Sequence, residues 1–283
     1  MPSGRPLLLI DGDSLAHRAY HGSRPLRGAE GRPINAMHGF AVMLLALVRT
    51  ERPRAVLVCW DTLDVPTYRR ELWPDYQSGR EFDPEIVEQL GRVPGLVEAF
   101  GFAAAKADGY EADDLLAAAA RGEQQAGGTA LVVTSDRDAY QLVTDAVTVL
   151  APRSGAYAPD RIGRVEVVER YGVRPDQVPD FIALRGDPSD RLPGARGIGA
   201  KGAAELLGRY PDLAAIIAHA GELRPRQAEA VRDPNLPLFK RIATMDAQAP
   251  AVPPPDAALD RAGAVAHLEA IGDERLALRL QHE

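Results

Sequence analysis

Four short, uninterrupted apolar runs mark the chain: Leu7 to Ile10, Ala55 to Trp60, Ala130 to Thr134 and Val147 to Leu150. Runs this short and rich in Val and Leu predict strands of a parallel sheet covered on both faces. Between them apolar residues recur at helical spacing, over Met37 to Val48, Glu85 to Phe100 and Asp113 to Ala120. Strands alternating with helices predict an α/β fold: a mostly parallel central sheet flanked by helices, with right-handed crossovers. From about residue 160 the strand pattern stops. Helical segments broken by Gly and Pro follow, as at Val173-Arg174-Pro175 and Leu192-Pro193-Gly194. A Pro-rich loop is expected over Ala249 to Pro255, then two short helices over Leu259 to Leu280. The pattern divides the chain into an α/β core over 1–160 and a helical region over 161–283, with no internal repeat.

Composition narrows this picture in four ways. The 283 residues, 46% of them hydrophobic, suffice for a full core. The N-terminal apolar run is too short for a signal peptide, and no stretch reaches the roughly 20 apolar residues of a membrane span, so a cytoplasmic protein is expected. The single cysteine, Cys59, lies in an apolar run and fits a buried thiol in a reducing compartment. The net charge of −7 argues against nucleic acid as a partner, but it is unevenly spread. Residues 185–241 hold ten Lys/Arg against seven Asp/Glu, which leaves −10 on the remainder. An acidic portion beside a mildly basic one suits a metal site next to a phosphate-binding surface, and it also suits ordinary surface charge.

The candidate chemistry begins at the strand ends. Asp11 follows the first strand, Asp61 the second, and Asp136 closes Val133-Thr-Ser-Asp after the third. Open α/β sheets place active sites at the carboxyl ends of their strands. A lone Asp there could simply cap the next helix, but three strands each deliver one. Glu111, Asp113 and Asp114 gather at a predicted helix start, where helix-dipole pairing is the alternative role. Asp136 and Asp138 form a pair in Thr134-Ser-Asp-Arg-Asp, as do Asp187 and Asp190 in Arg185-Gly-Asp-Pro-Ser-Asp. Carboxylates about 4 Å apart repel by roughly 4 kcal/mol per pair at an effective dielectric near 20, so such a cluster calls for cations. Hard oxygen donors without a His/Cys pattern point to Mg²⁺ or Mn²⁺, and paired ions about 3.5–4 Å apart suit phosphodiester hydrolysis.

Two further segments suit nucleic acid. Residues 194–203, Gly-Ala-Arg-Gly-Ile-Gly-Ala-Lys-Gly-Ala, open a helix with exposed backbone N–H groups, a natural phosphate site. The spacing is not that of a P-loop, and the segment reads as a helix-hairpin-helix that would hold a DNA backbone without reading bases. Residues 67–80 mix arginines with aromatics (Tyr68, Arg69, Arg70, Trp73, Tyr76, Arg80), as single-strand binding would need. A solvated connecting loop has the same composition.

Taken in order, these motifs over about residues 5–245 resemble the 5′-nuclease (flap endonuclease) family, including the 5′-3′ exonuclease domain of bacterial DNA polymerase I. They are Leu9-Ile-Asp-Gly-Asp-Ser-Leu, Tyr68-Arg…Tyr76…Arg80, Glu111-Ala-Asp-Asp, Thr134-Ser-Asp-Arg-Asp, Asp180-Phe-Ile-Ala-Leu-Arg-Gly-Asp-Pro-Ser-Asp and Gly197-Ile-Gly-Ala-Lys. The resemblance implies a PIN-like core over 1–160, with a helical arch at about 66–100 over a threaded 5′ strand. It also implies a helical DNA-binding region over 161–283, with the helix-hairpin-helix at about 187–210. It implies two or three Mg²⁺ or Mn²⁺ ions held by Asp11, Asp61, Glu111, Asp113, Asp114, Asp136, Asp138, Asp187 and Asp190, with Asp13 as an extra candidate. Arg80 and Gln77 would act at the scissile phosphate. Arg69, Arg70, Tyr76, Gly197, Gly199 and Lys201 would contact DNA, and a K⁺ ion would sit on the hairpin. The implied protein is a monomeric 5′-3′ exonuclease and flap endonuclease of replication and repair, standing alone without a polymerase. The chain departs from the family at Gln77, where Lys is usual, at Asp13, where many bacterial relatives have Ser, and at Arg191, where Asn is usual.

Two rival readings remain open at this level. Asp11-Gly-Asp13 and Gly186-Asp-Pro-Ser-Asp190 mimic haloacid-dehalogenase phosphatases, which form an aspartyl-phosphate. That class leaves Glu111, Asp113, Asp114, Asp136, Asp138 and the glycine hairpin without a role. A non-catalytic DNA-junction binder would be expected to lack several of the acids, whereas all are present.

Overall fold

A computed structural model describes residues 4–62, 65–79, 83–153 and 158–282. In chain order the elements are β1 (Leu7–Asp11), α1 (Gly12–Gly22), α2 (Asn35–Glu51), β2 (Ala55–Cys59), α3 (Tyr68–Leu72), α4 (Pro84–Leu90), α5 (Val93–Ala99), β3 (Ala103–Ala105), α6 (Ala112–Gln125) and β4 (Ala130–Val133). Then come β5 (Val147–Ala151), β6 (Asp160–Ile162), α7 (Arg164–Tyr171), α8 (Val178–Arg185), α9 (Ala200–Arg209), α10 (Leu213–Ala218), α11 (Pro225–Ala230), α12 (Leu236–Ala243), α13 (Arg261–Ala270) and α14 (Glu274–His282). They form two compact units that do not follow the chain in simple halves. The first comprises Met1–Thr62, Glu81–Ser135 and Ala247–Glu283, and the second Leu63–Arg80 and Asp136–Asp246. Among the described residues no helix is long and apolar enough to cross a membrane.

The first unit is built on four parallel strands in the order β3-β2-β1-β4. Leu9 lies opposite Leu57 on one side and Val132 on the other, so the carboxyl ends of β1, β2 and β4 reach one edge in register. Leu7 to Ile10 are wholly buried, as continuous apolar strands covered on both faces must be. Helix α6 lies across β1, β2 and β4, while α1 packs along α2. Arg54 at the start of β2 joins Glu123 of α6 and also reaches the Pro254 carbonyl and Asp256, which ties the Pro-rich segment to this unit. The helix expected over Glu85 to Phe100 is two helices, α4 and α5, parted around Gly91. β3 is three alanines, without the Val or Leu that mark β1, β2, β4 and β5.

In the second unit, β5 and β6 pair antiparallel. Every residue of α8 from Val178 to Leu184 is buried, with α9 and α12 packed against it. Buried Asp180 holds α8 to its surroundings: its Oδ1 accepts the Leu213 N–H (3.0 Å) and pairs with Lys240 Nζ (2.7 Å). The Gln177 amide donates to the carbonyls of Leu207 in α9 (2.9 Å) and of Pro211 just beyond it (3.0 Å).

Candidate active site

Each unit gathers its own group of the expected carboxylates. In the first, Asp11 is the N-cap of α1: its Oδ1 accepts the Ser14 N–H (3.0 Å) and its Oδ2 accepts the Thr134 hydroxyl (2.7 Å) from the end of β4. Asp13 accepts the Asp61 N–H on Oδ2 (2.8 Å), and Asp61 accepts the Ala112 N–H on Oδ1 (2.8 Å). Glu111 and Asp114 form a reciprocal capping box at the start of α6. Thus Asp11 is held by the start of α1 and the end of β4, while Asp13, Asp61, Glu111 and Asp114 are anchored through backbone N–H groups just after β2 and at the start of α6. Capping, the alternative role for these positions, is part of how they are held.

Burial raises Asp13 to about 8, helped by the negative charges of Asp61 and Asp11; the Asp61 N–H and Lys106 oppose this. Cys59 is buried as expected, and burial, then Asp11 and Asp113, hold its thiol protonated.

The second unit's group is Asp136, Asp138, Asp187 and Asp190. Asp136 Oδ1 accepts the Asp138 N–H (2.8 Å) in a tight turn. Burial pushes the Asp138 carboxyl well above its ordinary value, reinforced by Asp136, Asp187 and Asp190 and countered by Arg185. Asp187 is heavily engaged: Ser189 donates its N–H (2.8 Å) and its hydroxyl to Oδ1, and Arg185 Nη2 lies 3.0 Å from Oδ2. A two-residue bridge between Asp187 and Leu192 then turns the chain into the hairpin.

Each group thus holds one carboxyl, Asp13 or Asp138, whose burial beside other acids raises its affinity for a proton. A bound cation would offset the same negative charge. The donor set, carboxylate oxygens throughout, suits Mg²⁺ or Mn²⁺. Among the described residues no three His, Cys, Asp or Glu side chains form a ready cluster for one ion. The fit therefore rests on donor chemistry and charge rather than on a preformed shell.

The glycine segment does join two helices, α8 and α9. Gly186 and Gly194 meet so closely that a Cβ on Gly194 would lie 2.3 Å from the Gly186 nitrogen. Gly197 and Gly199 face open space, with nothing within 4 Å of a Cβ at either, and Lys201 is exposed one residue into α9.

The segment after residue 66 differs from its expected role. Arg69 is buried, donating from Nε to the Ile242 carbonyl (2.8 Å), with its guanidinium over the Tyr68 ring. Tyr76 is also buried, its hydroxyl accepting from Gln77 Nε2 (3.0 Å). In these positions neither faces a nucleic acid, whereas Arg70 is exposed. Arg80 lies outside the described residues.

Sequence reasoning left Thr134, Lys106, Ser189 and Arg185 without roles. Thr134, Arg185 and Ser189 sit inside the quoted motifs, which was the available signal. Lys106 had none.

Residues 6–172 match the family model for the 5′-3′ exonuclease N-terminal resolvase-like domain, and residues 173–262 match that for the 5′-3′ exonuclease C-terminal SAM fold. The chain belongs to the 5′-3′ exonuclease family. It is 40% identical over 229 residues to DNA polymerase I of Mycobacterium tuberculosis, covering 80% of this chain and 25% of that one. The chain thus spans about a quarter of the length of such curated relatives. Its fold is that of the bacteriophage T5 D15 flap endonuclease, solved as a pseudo-enzyme-product complex with DNA and metal ions. That match has TM-score 0.71 and 18% identity, and covers 99% of this chain and 100% of that one. The catalytic core of Rad2 in complex with DNA substrate also matches, at TM-score 0.63 and 13% identity over 97% of this chain and 90% of that one. Membership in this family sets aside the haloacid-dehalogenase reading.

Proposed function

We propose that this protein is a structure-specific 5′ nuclease, a 5′-3′ exonuclease and flap endonuclease that hydrolyses DNA phosphodiesters beside a junction in replication or repair. The observation that carries this reading is the retention of every expected carboxylate, in two anchored groups, in a chain of this family. Asp11, Asp13, Asp61, Glu111, Asp113 and Asp114 would bind divalent cations in the first unit, and Asp136, Asp138, Asp187 and Asp190 in the second. Such ions supply a more acidic attacking water and stabilise charge on the phosphoryl oxygens.

The protein's own contribution is to fix the carboxylates. Ser14 and Thr134 orient Asp11, while Ser189 and Arg185 orient Asp187. The open glycines of the hairpin and Lys201 would hold duplex DNA through its phosphates, with a K⁺ ion on the hairpin carbonyls. Arg70 and Arg80 are the proposed contacts to the 5′ strand. Relatives of this fold have been solved with DNA and with metal ions, which supports both partners.

A 5′-labelled flap substrate tests the reading, with and without Mn²⁺, beside a generic phosphatase substrate. Mn²⁺-dependent release of a short 5′ product is expected. Flap binding without cleavage at any metal concentration would instead establish a junction binder.

A further inference from the structure

Gln77 and Arg191 adopt left-handed backbone conformations, with φ of 49° and 56°. Such a conformation is unfavourable for a non-glycine residue and persists where the surroundings over-determine it. Here the two residues belong to one fastening. The Gln77 N–H donates to the Asp190 carbonyl (3.3 Å), and Gln77 Nε2 donates to Asp190 Oδ1 (3.0 Å). Trp73 Nε1 donates to the Arg191 carbonyl (3.3 Å), and its ring meets Phe239 edge-on. Gly79 completes it, since a Cβ there would lie 3.1 Å from the Arg191 guanidinium. Residues 73–79 are thereby clipped onto the turn that carries Asp187 and Asp190.

We propose that Gln77 is a positioning residue for Asp190 and acts through that carboxylate, not on the scissile phosphate. The inference rests on the reading of Asp190 as a cation ligand. The amide is neutral: it fixes the carboxylate's rotamer through one lone pair and leaves its charge intact for a cation. A lysine in the same place would pair with that charge and offset it. Gln77 therefore fits a role toward the acids that a lysine in its place would not fill.

The test is Mn²⁺ binding to the DNA-free full-length chain, by calorimetry, in Gln77→Gly, Gln77→Asn, Asp190→Asn and the Gln77→Gly/Asp190→Asn double variant. Gly and Asn both accept positive φ, so the backbone is retained, and the shorter Asn amide cannot reach Asp190. Removing an outer partner of a metal ligand costs about 10- to 100-fold in affinity. Both Gln77 variants should weaken Mn²⁺ binding by about tenfold while remaining folded, and Gln77→Gly should add nothing in the Asp190→Asn background. If Asp190→Asn weakens binding but the Gln77 variants do not, the positioning role falls and the ligand reading stands. Additive losses in the double variant would also overturn it. If Asp190→Asn itself leaves Mn²⁺ binding unchanged, the ligand reading fails, and the inference with it.

Discussion

Gly199→Asp should stabilise the protein and weaken its hold on DNA. Gly199 is the N-cap of α9, with φ −86° and ψ −174°, a backbone open to any residue. A side chain there meets no protein atom within 4 Å, so the substitution is sterically silent. Asp is a better N-cap than Gly by a few tenths of a kcal/mol, and its charge at the helix N-terminus adds about 0.3–1 kcal/mol. At roughly 2–4 °C per kcal/mol for a chain of this order of size, the melting temperature should rise by about 1–6 °C. If a DNA phosphate approaches the hairpin, the new carboxylate opposes it. At about 4 Å the repulsion is roughly 1 kcal/mol in bulk water and roughly 4 kcal/mol at a dielectric near 20. The dissociation constant should therefore rise between about 5-fold and about 10³-fold. Fluorescence anisotropy with a labelled flap junction and a thermal melt measure the two effects. Single-turnover cleavage at saturating enzyme should stay near normal. A raised melting temperature with unchanged affinity would show that no phosphate comes near Gly199, and the hairpin assignment would be wrong.

Two other perturbations test the acidic groups. Gly12→Ala would place a Cβ 2.5 Å from the Trp60 ring, where carbon atoms ordinarily sit about 3.5–4.0 Å apart. Overpacking of this kind costs about 1–3 kcal/mol in urea denaturation. Because Gly12 stands between Asp11 and Asp13, cleavage should also fall by about 10²-fold, and unchanged stability would refute the packing. Asp136→Asn keeps an oxygen for the Asp138 N–H, so the variant should fold and bind the junction while cleavage is abolished; near-normal turnover in Mg²⁺ would remove Asp136 from the metal-binding group.

Continuous Val- and Leu-rich runs made β1, β2, β4 and β5 legible, because burial on both faces permits little else. β3 and β6 were not, since Ala-Ala-Ala has no β-branched residue or Leu and Asp-Arg-Ile has no apolar run, and both are strands only because a neighbour pairs with them. The acids were visible as residues, but their attachments were not. Nothing in Thr134 announces a hydrogen bond to a residue 123 positions earlier. Arg69 and Tyr76 show the opposite error. Arginine beside an aromatic suggests nucleic acid, but the Ile242 carbonyl that Arg69 meets is 173 positions away. Local composition carries no trace of that partner.

The first unit takes its last segment, with helices α13 and α14, from the far end of the chain. Ile271 accepts the Ala29 N–H, and Asp273 pairs with His38 across 235 positions. A ribosome making this chain would finish β1, α2 and β2 long before the residues that close over them exist. Contacts so distant in sequence slow folding, because their loop-closure cost precedes any gain. Amide protons around Ala29 and α2 should then be among the last to gain protection during refolding, with those of α8 and α12 protected earlier.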